Sequence, residues 1–208
     1  AYMQHQRERN ELGLPALPLS TVQTAEVCRL LENPPKGQEL FLIQLFKERI
    51  SPGVDPSAEI KASFLNKIVQ SQIKCPLIDK KEAIFILSTM IGGFNVNPLV
   101  DALKISEIAD DAAKALSGIT LVYDAFNEVV ELSKTNAYAK KVIDSWANAE
   151  WYTSKAEFPS EYKVKVFKVD GEINTDDFSP VSDASTRPDI PLHSLSMGIS
   201  LFPGGNKT

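Results

Sequence analysis

From Ser20 to about Thr153 apolar residues recur at helical spacing, and clusters of Pro, Gly and Asn cut the pattern into pieces. The piece "STVQTAEVCRLLE" places Val22, Ala25, Cys28 and Leu31 on one helical face and stops at Asn33, Pro34 and Pro35. The next, "GQELFLIQLFKERI", is apolar almost all round through Leu40, Phe41, Leu42, Ile43, Leu45 and Phe46, which predicts a helix sandwiched between others. In "SPGVDPSAEIKASFLNKIVQ", Asp55 is placed as an N-cap and Pro56 at the first helical position, ahead of a stripe of Ile60, Phe64, Leu65 and Ile68. Asp79 and Glu82 have capping-box spacing, and Gly92-Gly93 is predicted to close the helix that follows. Further helices are predicted around 98–104, 107–116, 120–133 and 137–153, and the short loops make consecutive helices antiparallel. Such a chain forms either a compact bundle or a solenoid of HEAT-type helical pairs. The apolar second helix favours stacked layers, although no crisp repeat period is visible. The expected fold class is mainly α.

The period changes after "KAEFPS". In "EYKVKVFKVDG", Tyr162, Val164 and Val166 alternate with Lys163 and Lys165, the two-residue period of a strand with one wet face. Val166-Phe167 breaks that phase, which points to a bulge or to burial on both faces. Five of the 13 prolines and four of the 10 glycines fall after residue 157, so long regular helix ends there. A boundary near 158–160 would separate a helical domain, 1–157, from a second one, 158–208. A single strand cannot pair with itself. The second segment therefore either leans on the helices or begins a larger domain, and "SMGISLFPGGNKT", with no closing element, favours a truncated one.

Composition narrows the function classes. With 208 residues, 43% of them hydrophobic, the chain can bury a substantial core. Its net charge of −5 comes without clustered Lys and Arg, so nothing supports a nucleic-acid-binding stripe. No apolar run approaches the roughly 20 residues that span a bilayer, and "AYMQHQRERNELG" lacks the apolar core of a secretory signal. Cys28 and Cys75 are the two cysteines and neither has a CxxC neighbour. That excludes a four-cysteine site within these residues and fits a reducing, cytoplasmic compartment. Cys28 reads as a buried structural thiol. Trp146 and Trp151 read as anchors on one helix, and Gly92-Gly93 and Gly204-Gly205 as turns outside any phosphate-binding pattern.

Candidate chemistry gathers in "GEINTDDFSPVSDASTRPDIPLH", 171–193. Asp176 and Asp177 could be a metal pair or an acid/base pair. Alternatively Thr175, Asp176 and Asp177 cap a turn through side-chain to backbone hydrogen bonds. Arg187 precedes Pro188, which biases it towards extended backbone and could present its planar donor fork to a carboxylate. An ion pair with Asp183 or Asp189 would use the same group. His193 has no partner ligands for a metal, and His5 carries no signal.

The longer stretch "FKVDGEINTDDFSPVSDASTRPDIPLH" resembles the opening of the swivelling domain in the bacterial aconitase B family, bifunctional aconitate hydratases and 2-methylisocitrate dehydratases. "STMIGGFNVNPLVDAL", "NPPKGQELFLIQLFKERISPGVD" and "DSWANAEWY" resemble that family's N-terminal helical domain, so the likeness runs from about residue 30 to 193. It implies a HEAT-like helical-pair superhelix followed by a partial, mobile β/α swivelling domain. It implies interconversion of citrate and isocitrate through cis-aconitate, with a [4Fe–4S] cluster whose open iron polarises the substrate hydroxyl. One substrate-binding position carries over: Arg187, which grips a substrate carboxylate, with Thr186 where the family has serine. Asn174, Thr175, Asp176 and Asp177 are then loop support, and Asp189 a partner orienting the guanidinium. The cluster's three cysteines and the serine base have no counterpart here, so no catalytic or metal-binding residue is expected within this stretch, which alone should be inactive. The tricarboxylate is the expected partner of the whole enzyme, with a homodimer or protein partner through the helical domain. RNA binding, associated with aconitases, finds no basic support. The alternative is a stand-alone HEAT-like interaction module without catalysis.

Overall fold

Eleven helices form among the described residues of a computed structural model, which are 2–12, 16–154, 157–166, 168–179, 197–198 and 201. In chain order they are α1 (Tyr2–Glu11), α2 (Thr21–Glu32), α3 (Glu39–Glu48), α4 (Pro56–Val69), α5 (Lys80–Ser88) and α6 (Val96–Ala102). There follow α7 (Ala109–Ser117), α8 (Ala125–Ser133), α9 (Ala137–Ala147), α10 (Glu150–Thr153) and α11 (Thr175–Phe178). The chain divides into two compact units, 19–156 and 1–18 with 157–208.

The starts of the helices in unit 19–156 follow from local chemistry. Ser20 accepts from Gln23 N at 3.3 Å while the Gln23 side chain accepts from Ser20 N at 3.0 Å, a reciprocal cap for α2. Asp55 accepts from Ser57 N at 2.7 Å ahead of Pro56, as the sequence predicts. Asp79 accepts from Glu82 N at 2.8 Å at the start of α5. Asn136 accepts from Tyr138 N and Ala139 N to start α9, and its amide also donates to Leu103 O at 2.8 Å, tying that start to the end of α6.

The helices stack progressively. α2 packs on α3 and α4, α4 on α5 and α6, α5 and α6 on α7, α7 on α9, and α8 on α6 and α9. Leu31, Phe46, Leu65, Leu87, Leu99, Leu103, Ile108 and Leu116 are almost fully enclosed along that line. Each contributes about 1.5–3 kcal/mol of apolar burial.

Three helical expectations need correcting. The buried face of α2 is Thr24, Val27, Cys28 and Leu31, while Val22 is 78% exposed and Ala25 is exposed. The i, i+3, i+4, i+7 set counted from Thr24 shares Cys28 and Leu31 with the predicted stripe, but turns its other members outward. α3 is not buried all round: Leu42, Leu45 and Phe46 are buried, Phe46 meeting Phe64 of α4 edge-on at 5.5 Å between ring centroids, but Leu40 is 84% exposed. The long helix predicted over 137–153 breaks at Ala149, which adopts a left-handed φ of 50°. Trp146 and Trp151 therefore sit on different helices. Trp146 donates to Leu116 O at 3.0 Å and stacks on Phe126, whereas Trp151 is about half exposed.

The helix before Gly92-Gly93 ends earlier than expected, at Ser88, where the Ser88 and Thr89 hydroxyls donate to Phe85 O and Ile86 O. The glycines serve the turn beyond it. Ile91 N donates to Pro52 O at 2.9 Å, and Gly92 lies so close to Gly53 that a Cβ on Gly92 would collide with the Gly53 carbonyl. Asn95, buried, donates through its side-chain amide to Leu87 O and Met90 O, both at 2.9 Å, and locks the turn.

In the other unit the Tyr2 hydroxyl donates to Leu17 O at 2.8 Å, and His5 Nε2 accepts from Leu17 N at 3.0 Å, fixing α1 against its own following segment. The strand predicted in "EYKVKVFKVDG" is not present among its described residues. Among the described residues no strand occurs, and Tyr162, Val164 and Val166 are all exposed. Alternation alone does not make a strand; a pairing edge is needed, and none of the described residues supplies one. Among the described residues no helix is long and apolar enough to cross a membrane.

The Gly92–Gly53 contact yields a paired prediction. Gly92→Ala should destabilise the helical unit by about 1–3 kcal/mol, because a backbone carbonyl must move. Gly53→Ala, whose Cβ would meet nothing within 4 Å, should change stability by less than about 0.5 kcal/mol. Urea denaturation followed by circular dichroism measures both, and equal midpoints would contradict the close-packing account.

Candidate functional site

The loop that carries the candidate chemistry begins at Gly171, in the left-handed region at φ 94°. It then makes the single turn α11, which is closed by a reciprocal cap. The Asn174 side chain accepts from Asp176 N at 2.8 Å and Asp177 N at 3.1 Å, and Asp177 Oδ2 accepts from Asn174 N at 2.9 Å. Ser179 N closes the turn on Thr175 O at 2.8 Å. The cap is thus made by Asn174 and Asp177, not by Thr175 and Asp176. The N-x-x-D spacing was the sequence signal for it, with Asn as the capping residue and Asp reaching back.

The consequence for chemistry is direct. One carboxylate oxygen of Asp177 is committed to the backbone, while Asp176 is exposed beside it. Among the described residues no group of three or more His, Cys, Asp or Glu is arranged to hold a metal ion. Arg187 and Asp189, with Asp183 and His193, lie outside the described residues.

The thiols are held in their protonated form. Burial pushes Cys28 up to about 12, only partly offset by the nearby Lys61 ammonium. Burial also raises Cys75, whose thiol donates to Leu31 O at 3.3 Å. An iron–sulfur cluster needs thiolates, and two inward-held thiols do not fit one. The exposed acids are differently placed: Asp110 lies below its ordinary carboxylate range because Lys114 and Lys141 both donate to it.

Two family models match the chain. Residues 1–152 match the Aconitate B N-terminal domain, and residues 164–208 match the Aconitate hydratase 2 N-terminus. The chain belongs to the aconitase B family. It is 50% identical over 207 residues to aconitate hydratase B of Synechocystis sp., covering 99% of this chain and 24% of that protein. The Escherichia coli aconitate hydratase B is 48% identical over 197 residues, with 94% of this chain and 23% of the relative covered. The Pseudomonas aeruginosa protein is likewise 48% identical, over 198 residues, 95% of this chain and 23% of its own length. The chain thus spans about a quarter of the length of these aconitase B relatives. The family resemblance read from "STMIGGFNVNPLVDAL" and "SPVSDASTRPDIPLH" falls in the two matched regions respectively.

The thiol environments give a prediction with a defined sign. Iodoacetamide at neutral pH should label half-buried Cys75 before buried Cys28, and denaturant should equalise the two rates. Because the folded Cys28 pKa of about 12 lies above its ordinary value of 9.0, burial of the neutral thiol stabilises the fold fully below pH 9. That contribution is lost as pH rises from 9 towards 12, so the stability gap between the parent and Cys28→Ala should narrow over that interval. A gap constant with pH, or faster labelling of Cys28, would contradict the assignment.

Proposed function

We propose that this chain forms the N-terminal part of an aconitate hydratase that interconverts citrate and isocitrate through cis-aconitate in the cytoplasm, 2-methylisocitrate being a further substrate of the same chemistry. In this reading residues 1–157 form a HEAT-like domain of helical pairs that shapes access to the active site. Residues 158–208 begin a β/α swivelling domain. The pairwise stacking from α2 to α9 supports the first assignment. The match of residues 164–208 to the Aconitate hydratase 2 N-terminus supports the second, and it is the observation that carries the functional reading.

Arg187 is the substrate-binding residue within these limits. A guanidinium offers two parallel N–H donors to the two oxygens of a carboxylate, which gives orientation as well as charge. A residue that precedes proline is biased towards extended backbone, which is the local reason for expecting Arg187 to present its fork. Asp189 orients the guanidinium, and the Asn174–Asp177 cap stiffens the approach to that segment. Catalysis requires groups that this stretch lacks, among them the thiolates of the cluster, so the 208 residues alone are inactive.

The test is Arg187→Gln in a full-length enzyme containing this stretch. Losing one charge-assisted carboxylate contact, worth about 1.5–3 kcal/mol, should lower kcat/KM for citrate roughly 10- to 100-fold with unchanged circular dichroism. Parent-like kinetics would remove Arg187 from the substrate site.

A further inference from the structure

A cleft of about 540 Å³ opens between α7, α9 and α10, within the helical unit. Most of its charges are already satisfied. Lys114 and Lys141 both bind the Asp110 carboxylate, at 2.8 and 3.0 Å, and Asp144 binds Lys140 at 3.2 Å. Two polar groups facing the cleft differ. The Glu150 carboxylate has no cation or donor opposite it among the described residues. Ser145 is 4% exposed, and its hydroxyl has no hydrogen-bond partner among the described residues.

The Ser145 hydroxyl is anomalous for a helical serine. Ser88 and Ser133 donate to the carbonyl three residues back, each at 2.7 Å, which is the usual local solution. Ser145 makes no such bond and stays enclosed at the cleft wall, where an unpaired hydroxyl is unfavourable unless something else fills its bonding capacity. Beside these two groups, Trp151 contributes a half-exposed indole wall.

A carboxylate with no described partner, an unpaired hydroxyl oxygen in the wall and an aromatic face share one preference. Each attracts positive charge, the first by Coulomb attraction, the second through lone pairs and the third through the ring quadrupole. An anion would meet the reverse situation, because the two lysines are neutralised by Asp110 and three carboxylates line the walls. A bare metal ion lacks a ligand set here, since no group of three acids, His or Cys converges among the described residues. The volume is of the size that takes a small organic molecule. We propose that this cleft binds a small organic amine, its ammonium donating to Glu150 and Ser145 Oγ and its methylene chain lying along Trp151.

Isothermal titration of the 208-residue chain with spermidine, at about 0.15 M salt to screen diffuse attraction, tests the proposal. Magnesium ion and inorganic phosphate serve as comparison probes. Spermidine should bind saturably at one site, Glu150→Gln should weaken it about tenfold or more, and Trp151→Leu should weaken it severalfold. Magnesium and phosphate should give no saturable heat. Both substituted positions are on the surface, and circular dichroism of each variant establishes that it is folded. Spermidine affinity unchanged in Glu150→Gln would reduce the effect to the chain's overall negative charge and overturn the site. Phosphate binding in its place, or no spermidine binding to the parent, would also overturn it.

Discussion

The helical unit depends on one turn, residues 89–95, where the chain reverses between α5 and α6. Two constraints meet there. The buried Asn95 amide closes the carbonyls of Leu87 and Met90, and the Gly92 backbone lies directly on the Gly53 carbonyl. A larger residue at either of the first two roles leaves unpaired carbonyls or a steric collision, both costly in an enclosed site. From this turn α5 reaches α4 and α7 while α6 reaches α4, α7 and α8. The stacking that runs from α2 to α9 therefore passes through it.

What the sequence disclosed was mostly local. Asp55 with Pro56, Asp79 and the reach from Ser20 to Gln23 act between residues two or three apart, and such contacts are decided before tertiary packing. Burial is a tertiary property and was less legible. Leu40 looks like a core residue but is exposed, on the side of α3 away from the buried Leu42, Leu45 and Phe46. The break at Ala149 was invisible because alanine is an ordinary helix residue, and nothing in its propensity signals the left-handed φ of 50°. The alternation in "EYKVKVFKVDG" signals a surface able to pair, and pairing depends on what lies beside it.

The candidate site shows the same division. The capping pattern around α11 was readable as a class of turn, although the capping residue is Asn174 and not its neighbours. That assignment gives one Asp177 carboxylate oxygen a structural role. The cleft around Ser145 had no sequence signature at all. A serine in a helix usually satisfies itself, and only the three-dimensional arrangement shows one that does not.

The proposed function places its weight on a guanidinium followed by proline, in the region that matches the Aconitate hydratase 2 N-terminus. The most direct measurement is a crystal structure of a full-length enzyme carrying this stretch, with isocitrate bound. The account predicts both guanidinium nitrogens of Arg187 at roughly 2.7–2.9 Å from the two oxygens of one substrate carboxylate. Arg187 paired instead with Asp183 or Asp189 and out of reach of the substrate would contradict it.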